Sequence, residues 1–336
     1  MKNIENTQKT NFFKKLFIKL CRKFGFEIID QANFRSPTLD KNLNETLSIP
    51  GKKSITIPLG QINITRKVKS LKIILRTCTS ELIMDQNKRR LFDCEKNEYT
   101  FRTLKSLIHS ATIANTIFNN IKFEIVVTDT NSSQGDILII KNLLDQSKIN
   151  TKFISIDLKV FKNKIKPGYS KAKFSNMANF YNSLLMAKNE ENDIIYFVED
   201  DYIHSSNSIS EMIFSYEKFS TIFSTNVVLL PSDYPYLYTK DEATKIYLGE
   251  KYHWRLVSES LVTFMASKDL IEKNFRNLEF MGTEWVDPWE KPLHEIYKKN
   301  PCLSPIPSLA FHCANINSVF GVSPNIDLKT LWDKNK

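Results

Sequence analysis

The chain has 336 residues, of which 42% are hydrophobic and 25% are charged. This length can bury a large core and predicts one large domain or two closely packed ones. Lysine and arginine number 47 against 37 aspartates and glutamates, which gives a formal net charge of +10 and favours phosphate-bearing ligands or an anionic surface as partners. The basic residues are scattered and match no nucleic-acid-binding motif, so we expect no nucleic acid partner.

The cysteines and the apolar runs exclude several classes of protein. Five widely spaced cysteines without a Cys-x-x-Cys pair argue against a disulfide framework or a zinc–thiolate site and favour a reducing compartment. No apolar run approaches the roughly 18 residues that a membrane span needs. The sequence also lacks a signal-peptide pattern, and it contains neither a Gly-x-Gly-x-x-Gly motif nor a P-loop.

An amphipathic helix is predicted near the start of the chain, over residues 11–25. Its apolar residues share one helical stripe, its basic residues lie elsewhere, and Gly25 is a suitable C-cap. Such a helix can lie in a membrane interface and attract anionic lipid, or it can pack on the core of its own protein. We therefore separate residues 1–30, the basic amphipathic helix, from 31–69, an irregular lead-in.

From residue 71 onward, apolar strands alternate with helical stretches. Strands are predicted at 71–76, 123–129, 151–156 and 194–198, and helices at 97–118, 136–147 and 174–188. This alternation predicts a parallel, doubly wound sheet. Further along, the pattern predicts a helix at 207–219, which precedes the apolar run 226–231, then a strand at 260–267 and a helix from Lys268. The expected fold class is therefore α/β, with a Rossmann-type mixed sheet in a single large domain.

Polar residues follow three of the predicted strands. Arg76 and Thr77 end the first strand, Asp129 ends the second, and the acidic triplet Glu199–Asp201 ends the fourth. Ligands of open α/β sheets bind beyond the C-terminal strand ends, so we expect these side chains to converge. Carboxylate oxygens suit Mg²⁺ or Mn²⁺. Acidic triplets are also common in exposed turns, and the apolar strand before this one is what favours a metal site.

The stretch Y-F-V-E-D-D-Y-I at 196–203 resembles the Asp-x-Asp motif of GT-A-fold glycosyltransferases, in the Glu-Asp-Asp form of the N-acetylglucosaminyltransferase I family. The stretch N-M-A-N-F-Y-N-S-L-L-M-A-K at 176–188 is similar to the helix that bacterial members place before that motif. The resemblance covers about 71–315. It implies a GT-A-like fold, a nucleotide diphosphate sugar as donor, and Mn²⁺ or Mg²⁺ as cofactor.

The resemblance also implies roles for the triplet and for a late histidine. Asp201 would ligate the metal, and Glu199 and Asp200 would contact ribose, base or metal-bound water. The segment P-S-L-A-F-H at 307–312 resembles the one that supplies a histidine to the metal or diphosphate. Neutral imidazole is a competent Mn²⁺ ligand, so His312 fits this role; it fits equally well as a core or loop histidine.

Other donor contacts are implied by the position of residues in the predicted topology more than by sequence identity with the family. Arg76, Thr77 and Asp129 stand at the strand ends where the family holds uracil and ribose. In the cluster His-Trp-Arg at 253–255, Arg255 could hold the diphosphate and Trp254 could stack on a sugar. A structural tryptophan beside a surface arginine is the alternative.

A carboxylate that deprotonates the acceptor hydroxyl is needed in an inverting transferase. Residues 282–292 resemble the segment that supplies this base, and they place Glu284, Asp287 and Glu290 among two tryptophans. We take Glu284 and Asp287 as the catalytic candidates, because apolar surroundings raise a carboxylate's pKa toward useful basicity. The alternative is a proline-bounded loop whose tryptophans close the core.

The expected function is metal-dependent transfer of a sugar to a hydroxyl of a glycan or lipid-linked glycan in surface polysaccharide biosynthesis, with inversion. Residues 70–205 would be the nucleotide-sugar-binding half, 206–315 the acceptor and catalytic half, and 316–336 a C-terminal tail. The expected location is cytoplasmic, peripheral at the inner face of the cytoplasmic membrane. The alternatives are a sugar nucleotidyltransferase and a non-catalytic carbohydrate-binding or membrane scaffold protein.

Overall fold

The computed structural model describes residues 12–26, 63–81, 90–189, 191–234, 238, 243–314 and 326–336. It divides the chain into two units, residues 1–62 and 63–336. The part of the predicted lead-in at 31–62 lies outside the described residues. Among the residues that are described, no helix combines the length and the apolar character that crossing a membrane requires.

Helix α1 (Phe12–Lys23) belongs to the first unit and lies within the predicted segment. Its described apolar side chains are more than half exposed: Phe12, Phe13, Leu16, Phe17 and Leu20. Gly25, just after the helix, has a φ of 83°, in the left-handed region that a C-cap glycine adopts.

The second unit begins with regular alternation of strands and helices. In chain order its first elements are β1 (Ser70–Thr77), α2 (Lys96–Ile117), β2 (Lys122–Asp129), α3 (Gln134–Asp145), β3 (Asn150–Ser155), a 3₁₀ turn (Leu158–Phe161), α4 (Lys171–Asn189), β4 (Ile194–Glu199) and β5 (Tyr202–His204). The later elements are α5 (Ser208–Phe223), β6 (Val228–Leu229), β7 (Ile246–Leu248), β8 (His253–Leu256), β9 (Phe264–Ser267), α6 (Lys268–Lys273), α7 (Phe275–Thr283), α8 (Lys291–Tyr297), β10 (Cys302–Ile306), β11 (Ala310–His312) and α9 (Leu328–Lys334).

One large sheet organises this unit, with the strand order β3-β2-β1-β4-β9-β6-β10-β8-β7. The first four strands are parallel, as the alternation of strands and helices predicts. Strand β9 then lies antiparallel between β4 and β6, and β8 pairs antiparallel with β10. A separate pair, β11 and β5, lies antiparallel to each other. The predicted mixed α/β class is confirmed.

Two apolar runs, 226–231 and the predicted strand 260–267, form strands that are shorter than the runs themselves. The run 226–231 contributes only Val228–Leu229 to the sheet, because the Pro231 carbonyl beyond it accepts hydrogen bonds from the amides of Leu309 and Ala310. The run 260–267 joins the sheet only from Phe264, since the Ser260 amide donates to a histidine ring. Both runs are largely buried. Apolar composition therefore indicates which residues are buried, but it does not give the limits of the strands.

The end of the chain is helical and packed, although it was expected to be a tail. Trp332 of α9 is 4% exposed and stacks on Phe92, with ring centroids 4.1 Å apart. Its ring also packs against Tyr99, and its carbonyl oxygen accepts a hydrogen bond from Arg102. Helix α9 therefore belongs to a second apolar cluster, which lies beside α2 and the β5–β11 pair.

Buried His204 gives the fold a dependence on pH. The carbonyl of Tyr202 accepts from Nδ1, so Nε2 accepts from the Tyr196 hydroxyl and the ring is neutral. Burial lowers the pKa of His204 to about 4, below the roughly 6.5 of an unfolded histidine. The resulting stabilisation is fully present above pH ~6.5 and is lost as the pH falls toward 4. At pH ~5 the free energy of unfolding has already fallen by about 2 kcal/mol relative to neutral pH.

We therefore expect His204→Gln to remove about 2 kcal/mol of the stability difference between about pH 7.5 and about pH 5. Urea unfolding of wild type and variant at both pH values measures this difference. His109→Gln, at an exposed position on α2, is the matched control and should keep the wild-type dependence. Equal pH dependence in wild type and His204→Gln would show that this histidine is not the group responsible.

Candidate active site

The ends of β1, β2 and β4 bring the predicted site residues to one edge of the sheet. In the strand register Arg76 lies opposite Glu199, and Thr77 lies opposite Asp129. A cavity of about 150 Å³ opens at this edge. Its lining includes Arg76, Thr77, Cys78, Arg90, Lys96, Tyr99, Thr130, Asn176 and the three acids of the triplet.

Glu199 forms an ion pair with a buried arginine. The Arg76 Nη2 atom lies 3.1 Å from Glu199 Oε1, and the Arg76 side chain is 4% exposed. Its Nη1 donates to Asn176 Oδ1, and its guanidinium lies over the Phe180 ring. Burial raises the pKa of Glu199, and Arg76 opposes that rise without cancelling it. The buried Nε atom of Arg76 has no hydrogen-bond partner within the described structure, so it can still donate to a ligand.

Asp200 is satisfied by neutral donors and by a nearby lysine. Its Oδ2 accepts from the Thr100 hydroxyl at 2.9 Å and from the Cys78 amide at 3.3 Å. Burial raises the pKa of Asp200, while the charge of Lys96 works against the rise. The Lys96 ammonium donates to the carbonyls of Cys78 and Glu81. Asp200 thus connects the first turns of α2 to the segment that follows β1.

Asp201 is paired with the late histidine. His312 Nε2 lies 3.2 Å from Asp201 Oδ2, and the imidazole stacks on Tyr202 at 4.7 Å. Burial opposes the charge of both groups, but each holds the other ionised: His312 lowers the pKa of Asp201, and Asp201 raises the pKa of His312. Asp201 Oδ1 and His312 Nδ1 are buried, and within the described structure neither has a hydrogen-bond partner.

The donor set fits a hard divalent cation, although it does not form a complete cage. Across the described ranges, no group of three or more His, Cys, Asp or Glu side chains is arranged to hold a metal ion. Asp201 nevertheless offers an ionised carboxylate with an unpartnered oxygen, and His312 lies beside it. Mg²⁺ and Mn²⁺ commonly take one or two protein ligands and complete their shell with water and substrate phosphates. Two protein ligands are therefore sufficient, and His312 would act as one of them after metal binding displaces the proton that Asp201 favours.

Asp129 does not face the cavity, contrary to the sequence interpretation. Its Oδ1 accepts from the hydroxyls of Thr77 and Ser132, and its Oδ2 accepts from the Ser132 amide. The side chain is about 1% exposed, so it has little surface to offer a nucleotide. Asp129 instead ties the ends of β1 and β2 together, and its neighbour Thr130 lines the cavity.

Arg255 is likewise not brought to the triplet. Its Nε and Nη2 donate to Asp233 Oδ1 at 2.9 and 2.7 Å, and its guanidinium lies over Tyr238. Strand β8 is separated from β4 by β9, β6 and β10. Trp254 is fully buried and donates to Glu211, which excludes stacking on a sugar. Trp254 is therefore structural, as the alternative has it, whereas Arg255 is held in a buried ion pair and not at the surface.

Glu284 and Glu290, at the two ends of the acidic stretch 284–290, lie in different surroundings. Glu284 pairs with Lys166 at 3.4 Å and lines a separate groove. Trp289 is 5% exposed and stacks on Trp285 at 5.2 Å, so the tryptophans close the core, as the alternative interpretation has it. Burial raises the pKa of Glu290 to about 7, and the charges of Glu199 and His312 also act on it. The charge of Glu199, in the triplet, is thus among those that raise the pKa of Glu290.

Several cavity residues were not singled out from the sequence. Lys96 and Tyr99 belong to the first turn of α2, and Arg90, just before it, lies over the Tyr99 ring at 4.8 Å. They belong to no recognisable motif, and only the packing of α2 against the end of β1 brings them to the site. The signal for Glu290 was present, since it directly follows the buried Trp289.

Comparison with known proteins gives only partial overlaps. No protein-family model and no curated protein matches the sequence. UDP-glucose pyrophosphorylase complexed with UDP-glucose overlaps 80% of this chain and 100% of its own, at 9% identity and a TM-score of 0.39. Galactosyltransferase LgtC, in complex with donor and acceptor sugar analogues, overlaps 67% of this chain and 66% of its own, at 11% identity and a TM-score of 0.31. Mouse xyloside xylosyltransferase 1 overlaps 68% and 76%, at 13% identity and a TM-score of 0.35. These similarities are too low to carry a functional conclusion, which has to come from the site itself.

Proposed function

We propose that this protein is a GT-A-like glycosyltransferase that moves a sugar from a nucleotide diphosphate donor to a hydroxyl of a glycan or lipid-linked glycan, in surface polysaccharide biosynthesis. One observation carries the proposal: the acidic triplet at the end of β4 adjoins a cavity that is also lined by Arg76, Arg90 and Lys96. A site that mixes partly buried carboxylates with cationic side chains suits a diphosphate that arrives with a divalent cation.

Asp201 and His312 are the residues that would hold Mn²⁺ or Mg²⁺. When bound, the metal supplies Lewis-acid stabilisation of the charge on the leaving diphosphate. Arg76 would contribute in the same direction, because it lines the cavity, its side chain is buried and its Nε has no partner in the described structure. Glu199 and Asp200 hold Arg76 and the start of α2 in place, and Thr77 and Thr130 are left to contact the nucleoside.

We further propose inversion, with Glu290 as the base. In that step the acceptor oxygen bonds to the anomeric carbon as the bond from that carbon to the diphosphate oxygen breaks, and the hydroxyl proton passes to the Glu290 carboxylate. Burial and the neighbouring acids favour proton uptake by this group, which is what a base near neutral pH requires. Asp287, whose charge also acts on Glu290, is the second candidate, and the exposed ion pair of Glu284 makes it the third.

Asp201→Asn should weaken Mn²⁺-dependent binding of a nucleotide-sugar by at least about 100-fold, because changes even outside the ligand shell of a metal cost about 10–100-fold. The readout is the shift in melting temperature across a panel of nucleotide-sugars, with Mn²⁺ or with chelator. Asp145→Asn, at an exposed position on α3, is the control and should behave as wild type. If no nucleotide-sugar shifts the wild-type melting temperature in the presence of Mn²⁺, the transferase proposal fails. An unchanged response of Asp201→Asn would reject the metal assignment alone.

Glu290→Gln should reduce the rate of nucleotide release from the donor by about 10²–10⁴-fold, the usual contribution of a general base. Its nucleotide-sugar thermal shift should remain, because Glu290 is not expected to bind the donor. Glu284→Gln provides the comparison within the same stretch and should change the rate by less than about threefold, since exposed ion pairs contribute little. A larger loss in Glu284→Gln than in Glu290→Gln would reverse our assignment of the base.

Two alternatives remain distinguishable by product. A sugar nucleotidyltransferase would release pyrophosphate from a nucleoside triphosphate and a sugar phosphate; against it, the segment after β1, R-T-C-T-S-E-L, has no glycine-rich loop. A non-catalytic carbohydrate-binding or membrane scaffold protein is favoured by the fact that every acid of the triplet already has a protein partner. It would bind ligands without releasing a nucleotide.

We also propose that α1 binds an anionic membrane surface, which would place the enzyme at the inner face of the cytoplasmic membrane beside a lipid-linked acceptor. Its exposed apolar stripe and exposed Lys19 and Lys23 support this proposal. Leu16→Ser with Phe17→Ser should reduce flotation with vesicles that contain anionic phospholipid by at least about tenfold. Leu138→Ser, an exposed apolar site on α3, is the control. Undiminished flotation of the double variant would exclude α1 as the anchor.

A further inference from the structure

The segment 162–173, which follows the 3₁₀ turn after β3 and includes the first three residues of α4, carries five lysines. These residues are Lys162, Lys164, Lys166, Lys171 and Lys173. The first three are exposed and line one side of a groove of about 1010 Å³. Helix α7 forms the other side, where Arg276 adds a fourth cation and Phe280 an exposed aromatic ring.

The groove carries an excess of positive charge. Its two acids, Glu279 and Glu284, are already engaged: Glu279 accepts from the Tyr181 hydroxyl at 2.7 Å, and Glu284 pairs with Lys166. Four cationic side chains therefore face two carboxylates that have partners within the protein. This balance favours a ligand that brings its own negative groups.

The walls of the groove are held by the fold. The Lys166 amide donates to the Thr283 carbonyl at 3.0 Å, and Ile165 is buried between the exposed lysines. Below them, α4 and α7 pack closely at Gly282, where an added Cβ would lie 2.7 Å from the Cβ of Tyr181. The lysines therefore project from a segment with fixed backbone contacts.

The groove is joined to the proposed base by the short stretch that follows Glu284. Next to Glu284, the Trp285 amide donates to the Tyr169 hydroxyl, and the Lys173 ammonium lies 4.3 Å from the centre of the Trp285 ring. Trp285 stacks on Trp289, and Glu290 follows. Asn176, one turn after Lys173 on α4, lines the cavity at the triplet. Lys173 and Trp285 thus lie beside a stretch that contains both Glu284 of the groove and the proposed base.

We propose that this groove binds the acceptor and that the acceptor is an anionic glycan, bearing carboxylate or phosphate groups along its chain. The inference rests on the proposed function and adds the chemical class of the acceptor to it. The reacting sugar would lie beside Trp285 and Glu290, while negatively charged sugars further along the chain would contact Lys162, Lys164 and Arg276. The groove is several times larger than the cavity at the triplet, so it can hold more than one sugar unit.

The test compares charged and neutral oligosaccharides of matched length. Hexagalacturonate supplies carboxylates, a phosphomannan hexasaccharide supplies phosphates, and maltohexaose is neutral. Calorimetric titration of the full chain should show at least about tenfold tighter binding of one charged probe than of maltohexaose, weakening as salt is raised. Substituting Lys162, Lys164 and Arg276 together by Gln should weaken the charged probe by about tenfold and leave maltohexaose within about twofold. The preferred charged probe identifies the anionic group.

The matched control replaces Lys122, Lys148 and Lys152 by Gln, which removes the same charge from exposed positions before or within β2 and β3. This variant should bind the charged probe as wild type does. Unchanged binding in the groove variant, equal affinity for maltohexaose, or equally tight binding to anionic phospholipid vesicles through the groove lysines would each overturn the inference. The nucleotide-sugar thermal shift is recorded in parallel. If it is absent while the groove variant still loses the charged probe, the transferase proposal fails and the anionic glycan site stands.

Discussion

Three consecutive carboxylates at the end of a buried strand are the constraint on which this site depends. Packed together without cations, they would repel one another and take up protons. The chain resolves this by giving each acid a different partner: Arg76 for Glu199, hydrogen bonds and Lys96 for Asp200, and His312 for Asp201. The three acids are therefore chemically distinct, and Asp201 is the one held ionised with an unpartnered oxygen.

These partners explain why elements that are distant in sequence meet at one sheet edge. Arg76 comes from the neighbouring strand, Lys96 from the first turn of α2, and His312 from the end of β11. Strand β11 pairs antiparallel with β5, which begins directly after the triplet. This pairing places His312 opposite Tyr202 and therefore beside Asp201. The same contacts hold these elements together and set the charge distribution of the cavity. A substitution at any of them is therefore expected to change both.

Local pattern was sufficient for the parallel half of the sheet and for the triplet. The strands around Arg76, Asp129 and Glu199 were located to within one or two residues, because continuous apolar runs mark strands that are buried on both faces. The direction a side chain takes after a strand ends depends on tertiary partners that spacing does not encode. Asp129 turned to Ser132 and Thr77, and Arg255 turned to Asp233, so neither reaches the cavity. The proposed role of Glu290 rests on its burial, which a single sequence shows only indirectly.

The last helix has a consequence for the cavity that distance along the chain conceals. Trp332 stacks on Phe92 and packs on Tyr99, and Tyr99 carries Arg90 over its ring at the cavity wall. The Tyr99 hydroxyl also bonds to both the amide and the carbonyl of Phe92. The last helix therefore supports the position of Arg90 at the cavity wall through two aromatic rings. If the donor binds in this cavity as we propose, its affinity will depend on the integrity of that helix.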